Sequence, residues 1–135
     1  MSVLASETAY FRVWWEDVVG LKVTEVRSNI AWSYNGSCVT SASGSYYNYW
    51  RTGTGWRRDS YGSRISRTCS VAKVWSDATY HNSIFCAGGT VRNYYDNVEV
   101  RGWNTGGLGG SVYRTWTTYP YICIALHWHQ ELRRT

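Results

Sequence analysis

The fold is decided by the stretch IAWSYNGSCVT at residues 30–40, which places a tight-turn signal between two alternating runs. Asn-Gly readily takes the two positive-φ positions of a type I′ turn, and the flanking residues then pair as a β-hairpin. A two-residue turn at Asn35-Gly36 sets Trp32 opposite Val39. The sequence therefore predicts an antiparallel hairpin here, and it is the clearest local element of an all-β fold.

Further strands extend this hairpin in both directions. They are predicted at 10–15, 18–27, 46–51, 90–101, 111–118 and 121–132, with a second hairpin at 66–86 around Ser76-Asp77-Ala78. Residues 45–63 are otherwise predicted to be loop, and residues 102–110, with five glycines, a flexible connection. Turn signals recur about every ten residues, which is the spacing of a β-sandwich or barrel.

Length and composition bound the architecture. The chain has 135 residues, 17% of them aromatic and 17% charged. This size fits one domain, the aromatic content argues against disorder, and no apolar run approaches the roughly 18 residues of a membrane span. We predict a single antiparallel β-sandwich over residues 1–135, Ig-like in general architecture, with residues 1–29 forming an N-terminal strand pair or an arm. Its predicted core comprises Trp32, Val39, Val74, Phe85, Val98, Val100, Trp116, Ile122, Ile124 and Leu126.

Four cysteines, at positions 38, 69, 86 and 123, indicate disulfides rather than zinc, because none forms the C-x-x-C pair of a zinc ribbon. Bridges persist mainly in oxidising compartments, so we expect a secreted, extracellular protein whose leader has been removed. Four buried thiols in a cytosolic protein are the alternative. The hairpin predicted at 66–86 would set Cys69 opposite Cys86. We therefore predict the bridges Cys69–Cys86 and Cys38–Cys123, each stabilising the fold by about 2–4 kcal/mol.

A stretch rich in Arg, Tyr and Trp is the predicted binding surface. Arg outnumbers Lys twelve to two, and residues 48–69 carry a net charge of +4. Guanidinium groups stack on aromatic rings and bind carboxylates, and Trp, Tyr and Arg dominate the hot spots of protein interfaces. The candidate binding residues, for a protein or a glycan, are Tyr47, Tyr49, Trp50, Arg51, Trp56, Arg57, Arg58 and Trp103.

Three other interpretations of this surface stay open. Trp50, Trp56 and Trp103 could be the stacking platforms of a carbohydrate-binding domain. The rings could stack on bases as in single-strand nucleic-acid binders, although a net charge of +5 is modest for a polyanion ligand. Alternatively, Trp50 and Trp56 are core residues and the arginines are simply solvated.

Catalytic and metal-binding signals are incomplete. His127 and His129 share one face of a strand and could bind a metal if Glu131 or His81 supplied a third ligand. We predict no metal and no cofactor from so incomplete a set. A small secreted hydrolase such as a ribonuclease is the alternative class, since it needs an imidazole, a carboxylate and an arginine. Glu99 and the residues above supply these types in no diagnostic order, so we predict no catalytic residue.

Several segments together resemble a known group of proteins. They are AWSYNGSC, TGTGW, a mid-chain Cys, ATYHNSIFC, a Tyr-Tyr strand leading to VEVRG, and a closing Cys before LHWHQEL. Over about residues 30–132 the chain resembles small secreted β-sandwich proteins of filamentous actinobacteria. It also looks like the small adaptor subunit of their umbrella-shaped polymorphic toxin particles. The resemblance implies a non-enzymatic bacterial adaptor that holds larger proteins together, and no functional residue is carried over from it.

These observations predict a secreted, non-catalytic binding or adaptor module. Its Arg-, Tyr- and Trp-rich loops are expected to engage a protein partner in an extracellular complex, with a glycan as the second ligand class. A few aromatic anchors would supply affinity, and arginines would supply orientation and steering. Nucleic acid is disfavoured as a partner, and no membrane span is expected.

Overall fold

The computed structural model describes residues 4–86, 89–118 and 126–135. Within these ranges the chain forms eight β-strands and one short 3-10 helix at Thr52–Thr54. No helix in the described ranges is long and apolar enough to cross a membrane. The strands are β1 (Ala5–Glu16), β2 (Lys22–Tyr34), β3 (Val39–Trp50), β4 (Trp56–Arg67), β5 (Val71–Cys86), β6 (Gly89–Trp103), β7 (Leu108–Thr118) and β8 (His127–Arg134).

The strands form two antiparallel sheets that pack against each other. The first sheet has the order β3-β2-β1-β8 and the second the order β4-β5-β6-β7. The chain therefore changes sheet twice, between β3 and β4 and between β7 and β8. The first 29 residues contribute β1 and the first part of β2, which are the two inner strands of the first sheet. This arrangement fits a β-sandwich, and the all-β prediction is confirmed.

The core lies between the sheets and is filled from alternate positions along the strands. Six predicted core residues are buried: Trp32, Val39, Val74, Val98, Val100 and Leu126. Trp116 is only half-buried and stacks on Tyr94, with ring centroids 4.4 Å apart. The side chain of Phe85 and residues Ile122 and Ile124 lie outside the part of the chain that the structure describes. The prediction also omitted the inward face of β1, which buries Ala9, Phe11, Val13 and Trp15.

The first predicted hairpin forms, but through a longer loop. Val39 pairs with Tyr34 rather than with Trp32. The Asn35 side-chain oxygen accepts hydrogen bonds from the backbone N–H groups two and three residues later, at 2.9 and 2.8 Å. In this loop only Gly36 has a positive φ, at +89°. The predicted type I′ turn needs two positive φ values and was therefore wrong. The asparagine side chain closes a four-residue loop instead.

The second predicted hairpin is a single strand. β5 runs unbroken through Ser76-Asp77-Ala78, and the turn that precedes it lies at 68–70. Buried and partly exposed positions alternate without interruption across the predicted turn, as a strand requires. Asp77 Oδ1 accepts the backbone N–H of Asn97 at 2.7 Å, and Asn97 has a φ of +51° at a register shift between β5 and β6. The polar residues at this point support a β-bulge and not a turn.

One disulfide joins Cys38 to Cys69, with Cα atoms 4.3 Å apart. Both predicted pairs, Cys69–Cys86 and Cys38–Cys123, used one of these cysteines and were wrong. Because β5 is unbroken, Cys69 and Cys86 lie at opposite ends of it. Cys69 instead lies beside the β2–β3 loop, where its carbonyl accepts the N–H of Val39 at 2.7 Å. The side chain of Cys86 and the whole of Cys123 fall outside the described residues.

Two segments predicted as loop are largely strand. Residues 45–63 contain the end of β3 and the start of β4, and residues 102–110 include a turn at 104–107 between β6 and β7. β4 is an edge strand whose Ser and Arg side chains are mostly exposed, so it carries no alternating apolar signal. β7 begins at Leu108, and its next two residues are Gly109 and Gly110, where ring atoms of Trp103 and Phe11 lie 2.8 and 2.5 Å from where a Cβ atom would be and leave no room for a side chain.

Candidate functional site

The outer face of the first sheet carries a layer of aromatic rings and charged groups near the β1–β2 turn. The strand register sets these side chains in rows across β3, β2, β1 and β8. One row is Tyr49–Glu25–Trp14–His129 and the next is Tyr47–Arg27–Arg12–Glu131. We call this surface the Arg–aromatic face, and its members are Tyr10, Arg12, Trp14, Lys22, Glu25, Arg27, Tyr47, Tyr49, His129 and Glu131.

Glu25 lies at the centre of the Arg–aromatic face and is completely buried, although its side chain points away from the core. Lys22 Nζ lies 2.6 Å and an Arg12 guanidinium nitrogen 3.3 Å from its Oε1 atom. Arg27 Nη2 lies 3.2 Å from Oε2. A buried carboxylate is tolerated only when it is paired in this way. The three cations therefore cover Glu25, and Glu25 fixes where they lie.

Each of these cations also lies over an aromatic ring, at distances typical of cation–π contacts. The distances from the guanidinium carbon or ammonium nitrogen to the ring centroid are 4.1 Å for Arg12 on Trp14, 4.3 Å for Arg27 on Tyr10, 5.3 Å for Arg27 on Tyr47 and 4.7 Å for Lys22 on Tyr49. His129 stacks on Trp14 with centroids 5.4 Å apart. The rings are thus positioned by cations that are themselves held by the buried carboxylate.

Glu131 connects β8 to this arrangement. Its Oε1 atom accepts hydrogen bonds from the Tyr10 hydroxyl at 2.8 Å and from Arg12 Nε at 2.9 Å. The bond from Tyr10, together with the bond and the charge from Arg12, holds the pKa of Glu131 below its ordinary value. Burial by itself would lower the pKa of Arg12. The nearby carboxylates of Glu25 and Glu131 outweigh the effect of burial, so the pKa of Arg12 is raised. Charges within the face are therefore largely compensated.

Toward the opposite end of the same sheet, the outer surface changes from large to small side chains. A shallow groove of about 300 Å³ runs across the three strands β3, β2 and β1 there. Its lining includes Ser6, Thr8, Ala31, Ser33, Ser41 and Ser43. The outer surface of the sheet therefore combines a raised aromatic part with a lower, small and polar part.

The predicted binding residues do not form one loop surface. Tyr47 and Tyr49 belong to the Arg–aromatic face, whereas Trp50 and Arg58 lie where the edges of β3 and β4 meet. The Arg58 guanidinium carbon is 4.8 Å from the Trp50 ring centroid and 3.9 Å from that of Tyr61. Trp50 also packs against the buried core. These side chains close the edge of the sandwich and extend the aromatic surface around it.

The other predicted binding residues are separated from this surface. Trp56 is fully buried, so its assignment to a surface was wrong and it offers no stacking platform. Arg51 donates through Nε to the carbonyl of Lys22 at 3.0 Å. Arg57 is exposed, and Trp103, on the outer face of the second sheet, lies 5.6 Å from the Arg101 guanidinium carbon. The three tryptophans of the carbohydrate-binding interpretation therefore lie in three different places.

Sequence reasoning missed six of the ten members of the Arg–aromatic face, namely the residues of β1 and β2. The signal was present in the alternation of 10–15, where apolar and polar or aromatic residues alternate strictly. Assigning Phe11 and Val13 to the core puts Tyr10, Arg12 and Trp14 on one outward face. The positions of Glu25 opposite Trp14 and of Arg27 opposite Arg12 could not be read without the register of the β1–β2 hairpin.

The histidine pair lies on the outer surface of β8, as alternation predicts. His129 Nε2 is 3.3 Å from Glu16 Oε1. Of the third ligands considered, Glu131 is bonded to other groups and His81 lies on the second sheet. Within the residues described, no three or more His, Cys, Asp or Glu side chains are grouped as a metal site would need.

The second sheet carries one imidazole–carboxylate pair on its outer face. His81 Nδ1 lies 2.6 Å from Asp59 Oδ1, and Arg92 lies 3.7 Å from Asp59 Oδ2. Arg57 and Arg92 are the cross-strand partners of His81 on its two sides. Two arginines therefore flank His81 in register, and Asp59 contacts only the Nδ1 nitrogen of its imidazole.

Comparisons with protein families, with curated proteins and with solved structures find no match to this chain. The functional argument therefore depends on the geometry of the two outer faces. Of these, the Arg–aromatic face is the larger organised surface, because ten side chains on four strands share one network.

Proposed function

We propose that this protein is a non-catalytic binding module that recognises a partner protein through the Arg–aromatic face. The observation that carries the proposal is the completely buried Glu25, which holds three cations and, through them, a set of aromatic rings in fixed positions. Rings that are ordered before binding lose little conformational entropy when they become buried in an interface. Such pre-organised Trp, Tyr and Arg side chains are the typical anchors of protein interfaces.

The charge distribution favours a protein over a polyanion. Arg12, Lys22 and Arg27 are already paired with Glu25, and Arg12 also with Glu131. A phosphate backbone would have to displace these carboxylates, which lie in the same network. A protein surface can match a mixed pattern of both signs, which gives specificity and orientation. The groove of small residues beside the face adds a step in height that a complementary protein surface can follow.

We further propose that the module acts as an adaptor outside the cell. The disulfide Cys38–Cys69 supports an oxidising compartment, since such bridges rarely persist in the cytosol. The segments that resemble the small adaptor subunit of actinobacterial toxin particles support a role in holding larger proteins together. A rigid sandwich with one organised outer face suits that role because it adds a fixed contact without a reaction.

The test begins by isolating the partner. The tagged protein is used to capture proteins from the culture supernatant of the producing organism, and the captured protein is identified, purified and titrated by calorimetry. Trp14→Ala and Tyr47→Ala should each weaken binding by about 10- to 100-fold, the size expected of aromatic anchors. Trp75→Ala is the matched control, because Trp75 carries an Arg64 contact of 5.0 Å on the outer face of the second sheet.

The proposal fails if the face variants bind the purified partner as tightly as the wild type does. It also fails if Trp75→Ala weakens binding as much as Trp14→Ala, since the contact would then lie on the second sheet. Circular dichroism and thermal melting of each variant establish that the comparison is between folded proteins.

A hydrolase is the second candidate, favoured by the pair His81–Asp59 beside Arg57 and Arg92. Asp59 can orient the His81 imidazole, leaving Nε2 as a base, while the arginines can hold a phosphate. RNA turnover that disappears in both His81→Ala and Asp59→Asn would support this function. Equal absence of turnover in wild type and variants would remove it and leave the binding module.

A further inference from the structure

At the end of the sandwich that carries the β1–β2 turn, aliphatic side chains are exposed on two segments, which are the turn itself and the end of β5. Val18, Val19 and Leu21 in the turn are 55%, 75% and 49% exposed. Ile84, near the end of β5, is 74% exposed. β3 ends at Trp50 opposite Thr24, and β4 begins at Trp56 opposite Asn82, so the short link between β3 and β4 places the β1–β2 turn and Ile84 at the same end of the two sheets. We call these four residues the aliphatic tip.

The β1–β2 turn is held in this exposed conformation from within. Asp17 Oδ1 accepts the backbone N–H groups of Val19 and Leu21 at 3.0 and 2.9 Å. The backbone of Asp17 forms two more bonds, to the Leu21 carbonyl at 2.9 Å and from the N–H of Gly20 at 3.0 Å. Gly20 has a φ of +85°, which an L side chain would oppose. The turn therefore has a defined shape with its apolar side chains outward.

Ile84 is supported in a similar way. Its backbone N–H donates to Asn82 Oδ1 at 2.8 Å, and the Asn82 amide donates to the Thr54 carbonyl at 2.9 Å. The side chain packs directly over Gly55, where a Cβ atom would overlap it. In both segments the side chain of an Asp or Asn accepts the backbone N–H of the exposed aliphatic residue two positions later, which fixes the backbone at that residue.

Exposed aliphatic residues that are held in place indicate a binding surface, because folding alone does not favour them. Their chemistry differs from that of the Arg–aromatic face. The aliphatic tip has no Trp, Tyr or Arg among its members, and these are the residues that anchor protein interfaces. It also projects from the strand ends rather than forming a pocket. A lipid layer accepts convex aliphatic groups without a matching shape.

The surroundings of the tip fit a lipid surface. Arg51 lies at its base and donates through Nε to the Lys22 carbonyl at 3.0 Å, whereas the Lys22 ammonium is paired with Glu25 in the Arg–aromatic face. The chain carries a formal net charge of +5, which attracts it to an anionic membrane. Asp17, the acidic residue of the turn, is directed at backbone N–H groups of the turn itself.

We infer that the aliphatic tip inserts into the surface of an anionic phospholipid layer, as a binding site separate from the Arg–aromatic face. The four aliphatic side chains enter the boundary between headgroups and acyl chains, and Arg51 stays among the headgroups. Insertion of this kind is peripheral and places the protein on the membrane, not across it. It would present the Arg–aromatic face to a partner along the membrane surface.

The test measures co-sedimentation of the full chain with vesicles. Wild type should bind mixed phosphatidylcholine–phosphatidylglycerol vesicles and bind pure phosphatidylcholine vesicles more weakly. Val19→Asp should weaken binding to the mixed vesicles by about tenfold or more, because it replaces an aliphatic group that inserts into the lipid with a charged one. Val19→Trp should strengthen it, since Trp favours the lipid interface. Ile65→Asp is the matched control, as Ile65 is 47% exposed but lies on β4 away from the tip.

Three results would overturn the inference. The first is that the wild-type protein stays in the supernatant with both kinds of vesicle, and the second is that Ile65→Asp weakens co-sedimentation as much as Val19→Asp does. The third is that Val19→Asp lowers the affinity for a purified protein partner while vesicle binding is absent, which would make the tip a protein contact. Tyr47→Ala separates the two sites, because it should reduce partner binding and leave vesicle binding unchanged.

Discussion

The two ends of the sandwich are built in opposite ways. At one end, which we call the disulfide end, the loops at 35–38, 68–70 and 104–107 are joined to each other. Cys38 is bonded to Cys69, and Asn104 donates through Nδ2 to the carbonyls of Gly36 and Ser37 at 2.9 and 3.3 Å. At the other end, the β1–β2 turn is braced by its own Asp17 side chain and leaves its aliphatic residues exposed.

The contrast separates stability from recognition. Cross-links between loops restrict the unfolded chain and fix the strand ends, but they occupy the groups that a partner could use. Hydrogen bonds within a single turn fix its backbone conformation and leave its outward side chains available for binding. Because both ends belong to the same two sheets, the disulfide end can keep the scaffold rigid while the aliphatic end binds. Each change below tests one side of this division.

The largest effect is expected from opening the disulfide. Cys38→Ser removes a link between residues 31 apart in sequence, which should lower the free energy of unfolding by about 3 kcal/mol. Urea unfolding followed by fluorescence measures the change. Vesicle binding by the folded variant should stay the same, because the aliphatic tip lies at the other end. Loss of vesicle binding under conditions where the variant is folded would show that the two ends are coupled.

The next largest effect is expected from Glu25→Ala. Three cations would lose their common carboxylate, but all three are partly exposed and can regain water. We therefore expect a loss of about 2 kcal/mol, below the usual cost of breaking a fully buried pair. Hydrogen exchange should quicken in the halves of β1 and β2 next to their connecting turn, while the loops of the disulfide end stay protected. Faster exchange at Cys38 and Asn104 would contradict the separation of the two ends.

The sequence contained the class of the fold and much of its core. Alternation identified Trp32, Val74, Val98 and Val100 correctly because inward positions of a two-sheet core must be apolar at every second residue. It failed at edge strand β4, whose Ser- and Arg-rich residues have no buried side to mark. It also failed at Asp77, since a polar residue in mid-strand resembles a turn until the bulge at Asn97 is known.

The candidate site was predictable only in part for the same reason. Tyr47 and Tyr49 could be singled out by composition, because aromatic residues were concentrated there. Their neighbours across the sheet come from residues 10–14 and 25–27, and only the register of three strand pairs brings these segments together. The disulfide was mispaired because its prediction depended on the turn wrongly placed within β5. Long-range pairing, more than local propensity, limited what could be inferred.

A smaller effect is expected at Asn104, which has no covalent link to the loops it contacts. Asn104→Ala removes two side-chain hydrogen bonds but keeps the backbone bonds of this residue to Gly36 and Ser70. The free energy of unfolding should fall by about 1 kcal/mol, the usual worth of such a loss. Thermal melting measures it. In a Cys38→Ser background the same substitution should lower the free energy of unfolding further, because the Asn104 hydrogen bonds would then be a main connection between these loops.

Asp17→Ala should change stability less and binding more. The turn is exposed, so losing two hydrogen bonds there costs only about 0.5–1 kcal/mol. The amides of Val19 and Leu21 should exchange faster, and vesicle binding should weaken several-fold because the tip must now be ordered on insertion. Asp77→Ala is a suitable control, since it also removes a carboxylate bonded to a backbone N–H. Unchanged vesicle binding in Asp17→Ala would mean that the shape of the turn is unimportant.

The smallest expected effect is a titration at the disulfide end. The Tyr34 hydroxyl donates to Glu7 Oε1 at 3.2 Å, and Arg134 pairs with Glu7 Oε2 and donates to the Gly106 carbonyl. Burial, then the hydrogen bond to Glu7 and its negative charge, raise the pKa of Tyr34 above its ordinary value, although Arg134 opposes them.

The folded protein therefore holds the Tyr34 proton more tightly than the unfolded chain does. The stability that this gives is complete below the ordinary tyrosine pKa, and it is lost as the pH rises through the higher pKa of the folded state. The alkaline absorbance titration of wild type minus that of Tyr34→Phe should have a midpoint above that of free N-acetyltyrosinamide. Glu7→Gln should move the midpoint back toward the free value. A wild-type difference curve that coincides with the free amide would show that this end does not constrain the tyrosine.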